Sequence, residues 1–375
     1  MKLIINTSHL SGTGVVQVAI SFISECKNFS EHEYHVFMSK TIYSQLDIDI
    51  FPPNFKFYKI LHHPFYGWKG FKTRKYLKKL EKHITPDVVF SVFGPSYWKP
   101  QAKHLLGYAY PHYVYEESPL FQLLNFRDLL KIKIMKMIHC YSLKRDGSYY
   151  VCETTDVSSR LSKLLSVDPN QVFTVENTCN HYFWNYEQKK PKLLPQNKNC
   201  EFRFLALCSP YTHKNLSIIN SIVPLLRKRY PELNVKFVLS IGKQSVDKLF
   251  RDDVKDYIID IGTVNVADCP QVYAECHALF LPTLLECFSA NYPEAMCMGK
   301  PILTSNLSFA TVVCEDAALY FDPLDANFIV HQIKSIVEDN MLYESLVIKG
   351  KNRLRLLNTP NERAEKYLSI CSSLL

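Results

Sequence analysis

Two glutamates, Glu286 and Glu294, stand eight residues apart in a segment that reads as the end of a strand followed by the start of a helix. Backbone N–H groups at the start of a helix are unpaired and lie at the positive end of the helix dipole, so they favour a phosphate. A carboxylate just inside such a helix would repel a phosphate, but it accepts hydrogen bonds from the hydroxyl groups of a ribose. The pair therefore predicts a site that holds both ends of a nucleotide.

A purely structural interpretation fits the same segment. Asn291 can cap the helix and Glu294 can be the acid of a capping box, and most glutamates are solvated surface groups. The spacing of two glutamates does not decide between these interpretations. The choice depends on the loops elsewhere in the chain.

A glycine-bearing loop follows the first predicted strand. Gly12 and Gly14 allow a close approach of the backbone to a ligand, and the helix after them favours an anion. The loop is not a complete G-x-G-x-x-G fingerprint and no acid stands at the ribose-binding spacing, so a redox dinucleotide is not predicted. An ordinary tight turn between strand and helix is the alternative.

Two further loops carry groups that suit a nucleotide. Lys214 opens a predicted helix after the first strand of the second half, where it can reach a phosphate as a point charge. Because a lysine at a helix start opposes the dipole, its position indicates a bound anion, although a solvated lysine is the alternative. The segment 262–265, which includes Gly262 and Val264, ends another strand and offers small residues for a base pocket.

Short apolar runs alternate with helical patterns along the whole chain. Both halves follow this order, and a break rich in lysine and proline separates them at 184–200. Such series of uninterrupted apolar strands predict two doubly wound α/β domains with parallel sheets. Ligands of such sheets bind outside the carboxyl ends of the strands, where the loops above all lie. The predicted strands are residues 2–6, 35–38, 87–92, 104–107, 148–152 and 172–175 in the first half and residues 202–207, 235–239, 257–261, 277–281, 301–304 and 317–321 in the second.

The composition is that of a globular protein. Its 375 residues suffice for two domains, and no apolar run reaches the ~18 residues that span a bilayer. The N-terminus reads as a strand and lacks the apolar core of a cleavable export signal. The 12 cysteines are scattered and form no C-x-x-C pair, so reduced thiols and a cytoplasmic location are expected, and structural zinc is not.

Much of the net charge of +8 comes from two segments. Residues 69–82 and 127–145 combine lysines and arginines with aromatic and aliphatic side chains in a helical pattern. Basic amphipathic helices of this kind suit the anionic face of a membrane, and they also suit nucleic acid. A pair of well-solvated helices is the alternative.

Together these features resemble the retaining glycosyltransferases of family 4 in the sugar-enzyme classification, which have the GT-B fold. The resemblance covers nearly the whole chain and is strongest from Leu205 to Pro323. It rests on the E-x7-E pair, Glu286 and Glu294, and on a set of matching positions around it. These positions are Lys214, Asn215, Gly262, residues 299–301, residues 317–323 and, less specifically, residues 12–14, Glu153, Thr154 and Asn177.

The resemblance implies two Rossmann-like domains that face each other across a cleft. Residues 1–183 would form the acceptor-binding domain, and a linker at 184–200 would lead to the donor-binding domain, 201–358. The final segment, 359–375, would be a helix that crosses back to the first domain. The implied reaction transfers a hexose or deoxyhexose, with retention of configuration, from a UDP- or GDP-linked donor.

The roles of the site residues follow from the resemblance alone. Glu294 would hold the ribose hydroxyls, Glu286 would contact the donor sugar, and Lys214 would pair with the pyrophosphate. Backbone amides around Phe288 and Ser289 would assist. The remaining positions implied for the donor are Gly12, Gly14, Ser209, Gly262 and Val264.

The sequence departs from the family pattern at the phosphate site. Family members carry an arginine five residues before the lysine, and here Ser209 stands at that position. The second phosphate cation is thus missing or comes from elsewhere. No D-x-D-type metal site is recognised, so no metal cofactor is expected, and the leaving phosphate is expected to accept the proton of the acceptor hydroxyl.

A cluster of tyrosines follows the predicted strand 104–107 and suits an acceptor sugar. Each tyrosine offers a flat apolar face and one polar tip, although packing in the core is the alternative. His112 resembles in position a histidine that family members place beside the donor sugar, and Glu116 and Glu117 are candidate acceptor ligands. The tyrosines are Tyr108, Tyr110, Tyr113 and Tyr115.

The leading hypothesis is a glycosyltransferase of polysaccharide biosynthesis, which acts in the cytoplasm, on a glycan or lipid-linked glycan, at the inner face of a membrane. A non-catalytic nucleotide- or glycan-binding protein of the same fold is the alternative that Ser209 raises. Nucleic-acid binding is not expected, because no recognised nucleic-acid module is present and the basic residues avoid the motif loops.

Overall fold

The structure is a computed structural model, and it describes residues 1–187, 191–197 and 201–375. The chain forms two compact units, each with its own parallel sheet and hydrophobic core. The first unit comprises residues 1–116, 124–177 and 358–375, and the second comprises residues 117–123 and 178–357.

The first unit is built on a parallel sheet. Over the described residues it has 7 strands in the order β3-β2-β1-β4-β5-β6-β7. In this sheet Ile4 of the first strand pairs with His35 on one side and with Val89 on the other. The strands are β1 (Lys2–Thr7), β2 (Glu33–Met38), β3 (Phe55–Lys59), β4 (Val88–Ser91), β5 (Lys103–Gly107), β6 (Tyr149–Cys152) and β7 (Val172–Thr174).

The second unit is built on a parallel sheet of the same kind. Its 6 strands among the described residues follow the order β10-β9-β8-β11-β12-β13. Counted within the unit this is the order 3-2-1-4-5-6 of doubly wound nucleotide-binding folds. The strands are β8 (Phe202–Ala206), β9 (Val235–Leu239), β10 (Ile258–Asp260), β11 (Ala278–Leu281), β12 (Ile302–Ser305) and β13 (Ala318–Phe321).

Helices connect most successive strands in both units, and a loop without a helix, residues 92–102, connects β4 to β5. They are α1 (Thr13–Glu25), α2 (Lys40–Tyr43), α3 (Gly67–Ile84), α4 (Pro111–Val114), α5 (Leu120–Leu123), α6 (Phe126–Asp146), α7 (Thr155–Leu165), α8 (His181–Trp184), α9 (Ile219–Arg229), α10 (Lys243–Leu249), α11 (Asp252–Lys255), α12 (Cys269–Ala274), α13 (Asn291–Cys297), α14 (Ser308–Cys314), α15 (Ala326–Glu338), α16 (Asn340–Leu354) and α17 (Pro360–Ser373). Short 3₁₀ turns lie at Cys26–Asn28, Pro169–Gln171, Thr212–Lys214, Leu216–Ile218 and Val266–Asp268.

The predicted fold of two parallel-sheet α/β domains is confirmed. Every predicted strand is present, with small shifts at its ends, because strands covered on both faces are short apolar runs. The sequence pattern does not predict β3, which lies at the edge of its sheet and has two exposed lysines among the buried Phe55 and the half-buried Phe57 and Tyr58. The helix expected from Lys214 begins instead at Ile219, after two 3₁₀ turns.

The C-terminal helix α17 belongs to the core of the first unit. It begins with a capping box, in which Thr359 and Glu362 satisfy each other's backbone N–H groups. The ring of Tyr367 lies 5.4 Å from that of Phe22 and 5.0 Å from that of Phe90. Burial of such an aromatic side chain stabilises the fold by about 1.5–3 kcal/mol, so α17 is held by packing as well as by its cap.

The boundaries of the two units differ from the predicted domain ranges in two short segments, residues 117–123 and residues 178–183, which both belong to the second unit. Part of the predicted linker, residues 188–190 and 198–200, lies outside the described residues. Within the rest, the backbone N–H groups of Leu193 and Leu194 donate to the Glu275 carboxylate at 2.9 and 2.8 Å, so this stretch packs on the second unit. Residues 117–123 pack there as well.

One finding concerns membranes. Within residues 1–187, 191–197 and 201–375, no helix combines the length and the apolar character that a bilayer crossing requires.

Candidate functional site

The strand order of the second unit defines where a ligand would bind. β8 pairs with β9 on one side and with β11 on the other. The order of the strands along the chain reverses between β8 and β11, and ligands of doubly wound sheets bind outside the carboxyl ends of the strands at such a point. The loops that follow β8 and β11 are therefore the first place to look for functional groups.

Lys214 and Glu286 meet at this position as an ion pair. Lys214 lies in the 3₁₀ turn after β8 and Glu286 lies in the loop after β11, and Nζ of the lysine donates to Oε1 of the glutamate. Both side chains are 13% exposed. Taking two charges out of water is costly. A largely buried ion pair at the carboxyl ends of the strands, where ligands bind, therefore indicates a functional role.

Hydrogen bonds between the two loops hold the pair in place. The carbonyl oxygen of His213 accepts from the backbone N–H of Leu284 at 2.7 Å and from Oγ1 of Thr283 at 3.1 Å. Oγ1 of Thr283 also lies 3.3 Å from Oε1 of Glu286. Behind these loops, Oγ of Ser118 donates to the carbonyl of Leu284 at 2.7 Å.

The charge of the lysine is secured by its surroundings. Burial alone would lower the pKa of Lys214, but the negative charge of Glu286 and the hydrogen bond to it outweigh burial, so the pKa lies above its usual value. The thiol of Cys208 is close enough to act on Lys214 electrostatically, and burial raises the pKa of this thiol to about 11. Lys214 is therefore a cation beside an uncharged thiol.

The conformation of Asn215 determines where the turn that carries Lys214 ends. Asn215 adopts φ +53, in the left-handed region that asparagine tolerates better than other side chains with a Cβ. Its Nδ2 donates to the carbonyl of Pro323 at 2.8 Å. This conformation ends the 3₁₀ turn after Lys214 and keeps the lysine out of the following helix.

Glu294, the second acid of the pair, lies on α13 among hydrogen-bond donors. The Tyr273 hydroxyl and the Asn291 side-chain amide each donate to its Oε2 at 3.0 Å. Burial raises the pKa of Glu294, although these two hydrogen bonds oppose the rise. Within the part of the chain that the structure describes, Oε1 of Glu294 has no hydrogen-bond partner, so one carboxylate oxygen remains available to a ligand.

The capping interpretation of Asn291 and Glu294 is wrong. The N-cap of α13 is Ala290, and no side chain caps this end. Asn291 is instead the first helical residue, and its amide orients Glu294 and Tyr273, whose hydroxyl lies 3.1 Å from Nδ2. The side chain that could have closed the helix end is used to position an acid.

The remaining predicted donor positions of the second unit occupy loops at the same edge of the sheet. Phe288 and Ser289 are buried just before α13, a helix of 7 residues. Ser209 is half-buried, and its carbonyl accepts from the backbone N–H of Tyr211 at 2.8 Å. No side-chain contact of Ser209 with Lys214 is present among the described residues.

Gly262 follows β10 with φ +63 and open space where a Cβ would lie. Its N–H is directed at Asp260, whose Oδ1 also accepts from the backbone N–H groups of Ile241 and Gly242, at distances of 3.0 to 3.2 Å. The left-handed conformation explains the glycine, and the three hydrogen bonds fix the loop. Val264, two residues later, is half-buried.

The predicted positions of the first unit lie in loops after β1 and β5. Gly12 is the N-cap residue of α1, and both Gly12 and Gly14 are exposed. His112 is half-buried on the short helix α4 and Glu116 is exposed, whereas Glu117, also exposed, belongs to the second unit. In the first unit, strand order reverses between β1 and β4, so the Gly12–Gly14 loop is at a ligand-binding edge as well.

At this edge the structure also brings together residues that the sequence pattern does not reveal. The His9 imidazole donates through Nε2 to the carbonyl of Phe93. His139 of α6 lies between two tyrosine hydroxyls, with Tyr97 at 3.0 Å from Nε2 and Tyr113 at 2.9 Å from Nδ1. Burial lowers the pKa of His9 to about 3 and that of His139 to about 4, so both rings are neutral.

No local signal marks Tyr273 or His139 as partners of other side chains in the candidate sites. Tyr273 is far from Glu294 in sequence, and His139 lies inside a basic helical pattern. Asn291 and Glu294 are spaced three apart, which favours contact on a helix, and that spacing is the one signal from which this contact could have been inferred.

The sequence resembles a known protein family and, over a short segment, one curated protein. Residues 201–339 match the protein-family model described as glycosyl transferases group 1. A segment of 90 residues is 31% identical to O-antigen chain mannosyltransferase B of Escherichia coli and spans 24% of each protein. The chain thus aligns with about a quarter of that curated relative's length.

Two solved structures resemble the chain over its full length. A glycosyltransferase from Rickettsia africae superposes on 100% of this chain and 98% of its own, with a TM-score of 0.72 and 16% identity. Anabaena HepE, solved in complex with UDP and glucose, covers 100% of both chains with a TM-score of 0.72 and 12% identity. The match to the glycosyl transferases group 1 therefore falls on the unit that carries the Lys214–Glu286 pair, and the whole chain has the fold of solved glycosyltransferases.

Proposed function

We propose that this chain is a retaining glycosyltransferase, which moves a hexose or deoxyhexose from a nucleotide-sugar donor to a glycan or lipid-linked glycan. The observation that carries the proposal is the Lys214–Glu286 ion pair at the ligand edge of the second unit. A cation and an acid held together at this edge suit the two charges that develop when a sugar leaves a diphosphate. The match of residues 201–339 to the glycosyl transferases group 1 supports the same reading.

In this proposal the second unit binds the donor. Lys214 pairs with the pyrophosphate, because an ammonium has three N–H donors and can keep Glu286 while it binds a phosphate oxygen. Glu286 orients the donor sugar. Glu294 accepts the ribose hydroxyls through Oε1, the oxygen that Tyr273 and Asn291 leave available.

The rest of the donor lies along the loops described above. Backbone amides of Phe288 and Ser289 assist at the phosphates, and the loop that holds Gly262 and Val264 lies beside the base. The donor is UDP- or GDP-linked. Two relatives support this class, since HepE is solved with UDP and glucose and the E. coli relative is named a mannosyltransferase.

The proposed reaction breaks the bond between the anomeric carbon and the phosphate oxygen and forms a bond from that carbon to the acceptor oxygen on the same face. The leaving phosphate oxygen takes the proton of the acceptor hydroxyl. Lys214 stabilises the charge that builds on the departing diphosphate. Glu286 is not a nucleophile, and its ion pair with Lys214 orients its carboxylate.

The first unit binds the acceptor in this proposal. As the resemblance implies, we assign Gly12 and Gly14 a role in binding the donor phosphates, and His112 a role in binding the transferred sugar. Tyr110 is half-buried and offers an apolar face to an acceptor sugar, whereas Tyr113, whose ring stacks on it at 5.4 Å, is buried and supports it from behind. Because His9 and His139 are neutral, this region suits an uncharged polyol.

We also propose that the reaction takes place in the cytoplasm, at a membrane surface and without a metal. In the part of the chain that the structure describes, no three His, Cys, Asp or Glu side chains converge as a ligand set. Transfer rates should be the same with and without EDTA. A loss of turnover in EDTA that Mg²⁺ or Mn²⁺ restores would contradict the metal-free reaction.

The alternative is a binding protein of the same fold without turnover. Ser209 favours it, because one phosphate cation of the family pattern is absent. In that case nucleotide binding would survive and no sugar would be released from any donor.

A panel of UDP- and GDP-sugars with a broad acceptor extract separates the two functions. We expect release of one nucleoside diphosphate, and we expect Lys214→Ala to lower the rate roughly 10²-fold or more. Glu294→Ala should raise the Kd for the nucleotide. Lys228→Ala, at an exposed lysine of the same unit, is the matched control and should behave as wild type.

Each outcome of the panel has a defined meaning. Turnover that Lys214→Ala leaves intact would contradict the assigned role of the ion pair. Nucleotide binding without turnover of any donor would establish the binding-protein alternative.

A further inference from the structure

A row of large apolar side chains lies exposed along α6 of the first unit. Its members recur every three or four residues, so they share one face of the helix. At 1.5 Å per residue the row is about 22 Å long. We name it the α6 stripe; its members, each 46% to 78% exposed, are Phe126, Leu130, Ile134, Met137 and Tyr141.

A contiguous apolar surface of this kind is unusual on a soluble protein and marks an interaction site. Another side of α6 packs within the first unit. Its buried residues are His139, Ser142, Leu143 and Asp146. The stripe is thus a second face of the helix, in addition to the one that packs on the sheet.

Basic side chains flank the α6 stripe. Throughout α6, all of which is described, the exposed acid is Asp128, and it accepts from Asn125 Nδ2 at 2.8 Å. Lys136 is half-buried and pairs with Glu116. The exposed basic side chains are Arg127, Lys131, Lys133, Lys144 and Arg145.

The helix α3 presents a similar surface. The exposed rings of Trp68 and Phe71 stack at 5.4 Å, with Nζ of Lys72 at 5.8 Å from the Trp68 ring and Nζ of Lys75 at 4.6 Å from the Phe71 ring. The acid of this helix, Glu81, is buried and accepts from the backbone of the loop before β5. The exposed lysines of α3 are Lys69, Lys72, Lys75, Lys78, Lys79 and Lys82.

The two helices are neighbours in the first unit. The ring of Tyr97 lies 4.7 Å from that of Phe65, just before α3, and its hydroxyl bonds Nε2 of His139 in α6 at 3.0 Å. At the other end of α6, the charge of Arg74 in α3 acts on Asp146. One aromatic cluster therefore joins the start of α3 to the middle of α6.

We propose that the α6 stripe, together with the basic aromatic surface of α3, docks this chain on an anionic lipid bilayer. Aliphatic and aromatic side chains enter the boundary between head groups and acyl chains, and lysines and arginines beside them pair with lipid phosphates. This names the surface for the membrane association proposed above, and it stands independently of the transfer reaction.

Charge and side-chain type favour a bilayer over other occupants. A second copy of this chain would bring two strongly basic surfaces together, which is repulsive. A nucleic acid would use the lysines, but it would leave Leu130, Ile134 and Met137 in water. An anionic bilayer uses both the charges and the apolar row.

The test is co-sedimentation with vesicles. We expect the full chain to bind vesicles of mixed phosphatidylcholine and phosphatidylglycerol, and to bind phosphatidylcholine alone roughly tenfold more weakly. The double variant Leu130→Asp/Ile134→Asp should bind the mixed vesicles roughly tenfold or more weakly than wild type. Ile348→Asp, at a residue 59% exposed on α16 of the second unit, is the matched control and should bind as wild type.

A charge variant tests the second part of the surface. Lys72→Glu/Lys75→Glu/Lys79→Glu should lower binding to mixed vesicles and leave binding to phosphatidylcholine unchanged. All variants are compared by circular dichroism and melting temperature, because a loss of fold would also abolish binding.

Three results would overturn the proposal. Wild type could fail to bind mixed vesicles at low ionic strength, the double aspartate variant could bind them as wild type does, or wild type could form a dimer that the double variant does not. The last result would make a second copy the occupant. Turnover of soluble donor and acceptor is measured in parallel, so that failure of the transferase proposal and failure of the docking surface are distinguished.

Discussion

The hydroxyl of Tyr273 donates a hydrogen bond to Oε2 of Glu294 at 3.0 Å, and the same hydroxyl lies 3.1 Å from the Asn291 amide. The three side chains come from two helices, α12 and α13, and form a closed set of contacts. Both donors bind Oε2, so they fix the orientation of the carboxylate. Oε1 remains available to accept hydrogen bonds from a ligand. The proposed ribose contact thus depends on a tyrosine that does not itself touch the ligand.

The first prediction concerns this tyrosine. Tyr273→Phe removes one hydrogen bond to the carboxylate, and hydrogen bonds to charged groups contribute roughly 1.5–3 kcal/mol. We expect the Kd for the nucleoside diphosphate to rise roughly tenfold while kcat changes little, because Tyr273 positions Glu294 and does not act on the leaving group. Calorimetric titration with UDP and GDP, followed by steady-state rates, measures both.

Tyr343→Phe is the matched control. Tyr343 donates to the carbonyl of His277 at 2.8 Å in the same unit, so the variant loses a similar hydrogen bond away from the candidate site. Its nucleotide affinity should equal that of wild type. An unchanged Kd in Tyr273→Phe would contradict the proposed dependence of nucleotide binding on the positioning of Glu294 by this tyrosine.

The strands illustrate how much of the fold the sequence predicts. Leu3–Ile5 and Leu279–Leu281 are uninterrupted apolar runs because both faces of a parallel sheet are covered. β3 escapes this logic because it is an edge strand, where Lys56 and Lys59 can remain in water. In the sequence, an edge strand interrupted by exposed lysines resembles a loop that contains aromatic residues.

The sequence pattern indicates candidate residues whose position depends on strand order, but not those brought in by tertiary contacts. Lys214, Glu286 and Glu294 lie in the segments that follow the carboxyl ends of β8 and β11, which is a property of topology. Tyr273 and His139 act through contacts between distant helices, and no local pattern reports such contacts. Asn291 suits an N-cap because Asn is favoured there, but it lies one residue inside α13, where its Nδ2 donates to Glu294.

The second prediction concerns acid stability. Burial lowers the pKa of His9 to about 3, with Phe93 as an opposing hydrogen-bond partner and the charges of His63 and His104 adding to the decrease. Burial also lowers the pKa of His104 to about 4, against its bond to the Asp146 carbonyl. Their folded pKa values lie below the unfolded value, so the stability they contribute is present above about pH 6.5 and is lost as the pH falls towards 4.

Each such histidine changes the free energy of unfolding by about 1.36 kcal/mol per pH unit in this window. These two histidines should therefore contribute about 2.7 kcal/mol per pH unit to the slope, and His139, whose pKa burial also lowers to about 4, adds to it. Urea unfolding is followed by the fluorescence of Trp98, which is buried in the first unit, in a Trp68→Phe/Trp184→Phe background. His104→Gln should reduce the slope by about 1.4 kcal/mol per pH unit, whereas His62→Gln at an exposed position should not change it.

The third prediction concerns the anchor of α17. Arg363 is buried in the first unit, where one guanidinium nitrogen donates to Oδ1 of Asn177 and another to Oγ of Ser21 at 2.8 Å. Asn177 in turn donates to Glu153 at 2.7 Å. Arg363→Ala should lower the free energy of unfolding by roughly 3–5 kcal/mol, because it removes two charge-assisted bonds and leaves their partners buried.

Limited proteolysis gives a second measure of this anchor, since α17 should become cleavable before the rest of the first unit. Glu365→Ala, on the exposed side of the same helix, should change stability by less than about 0.5 kcal/mol. Equal stability of the two variants would mean that packing of Tyr367 and Leu368, and not the arginine, holds the helix.

The fourth prediction restores the cation that the family pattern contains and this chain lacks. Ser209 is half-buried in the loop after β8, five residues before Lys214. Ser209→Arg would add a guanidinium that can bind a phosphate through two N–H groups. We expect the Kd for UDP or GDP to fall roughly tenfold, corresponding to about 1.4 kcal/mol, with no change in the Kd for the nucleoside that lacks phosphate.

The comparison of diphosphate with nucleoside isolates the phosphate site from the ribose site. Ser221→Arg, at an exposed position on α9, adds the same charge elsewhere and controls for a general electrostatic effect, which should fade as salt is raised. If Ser209→Arg tightens nucleoside and diphosphate equally, the diphosphate does not lie beside Lys214. If it also raises turnover, the single lysine limits the stabilisation of the leaving group, since the added cation acts on the charge that develops there.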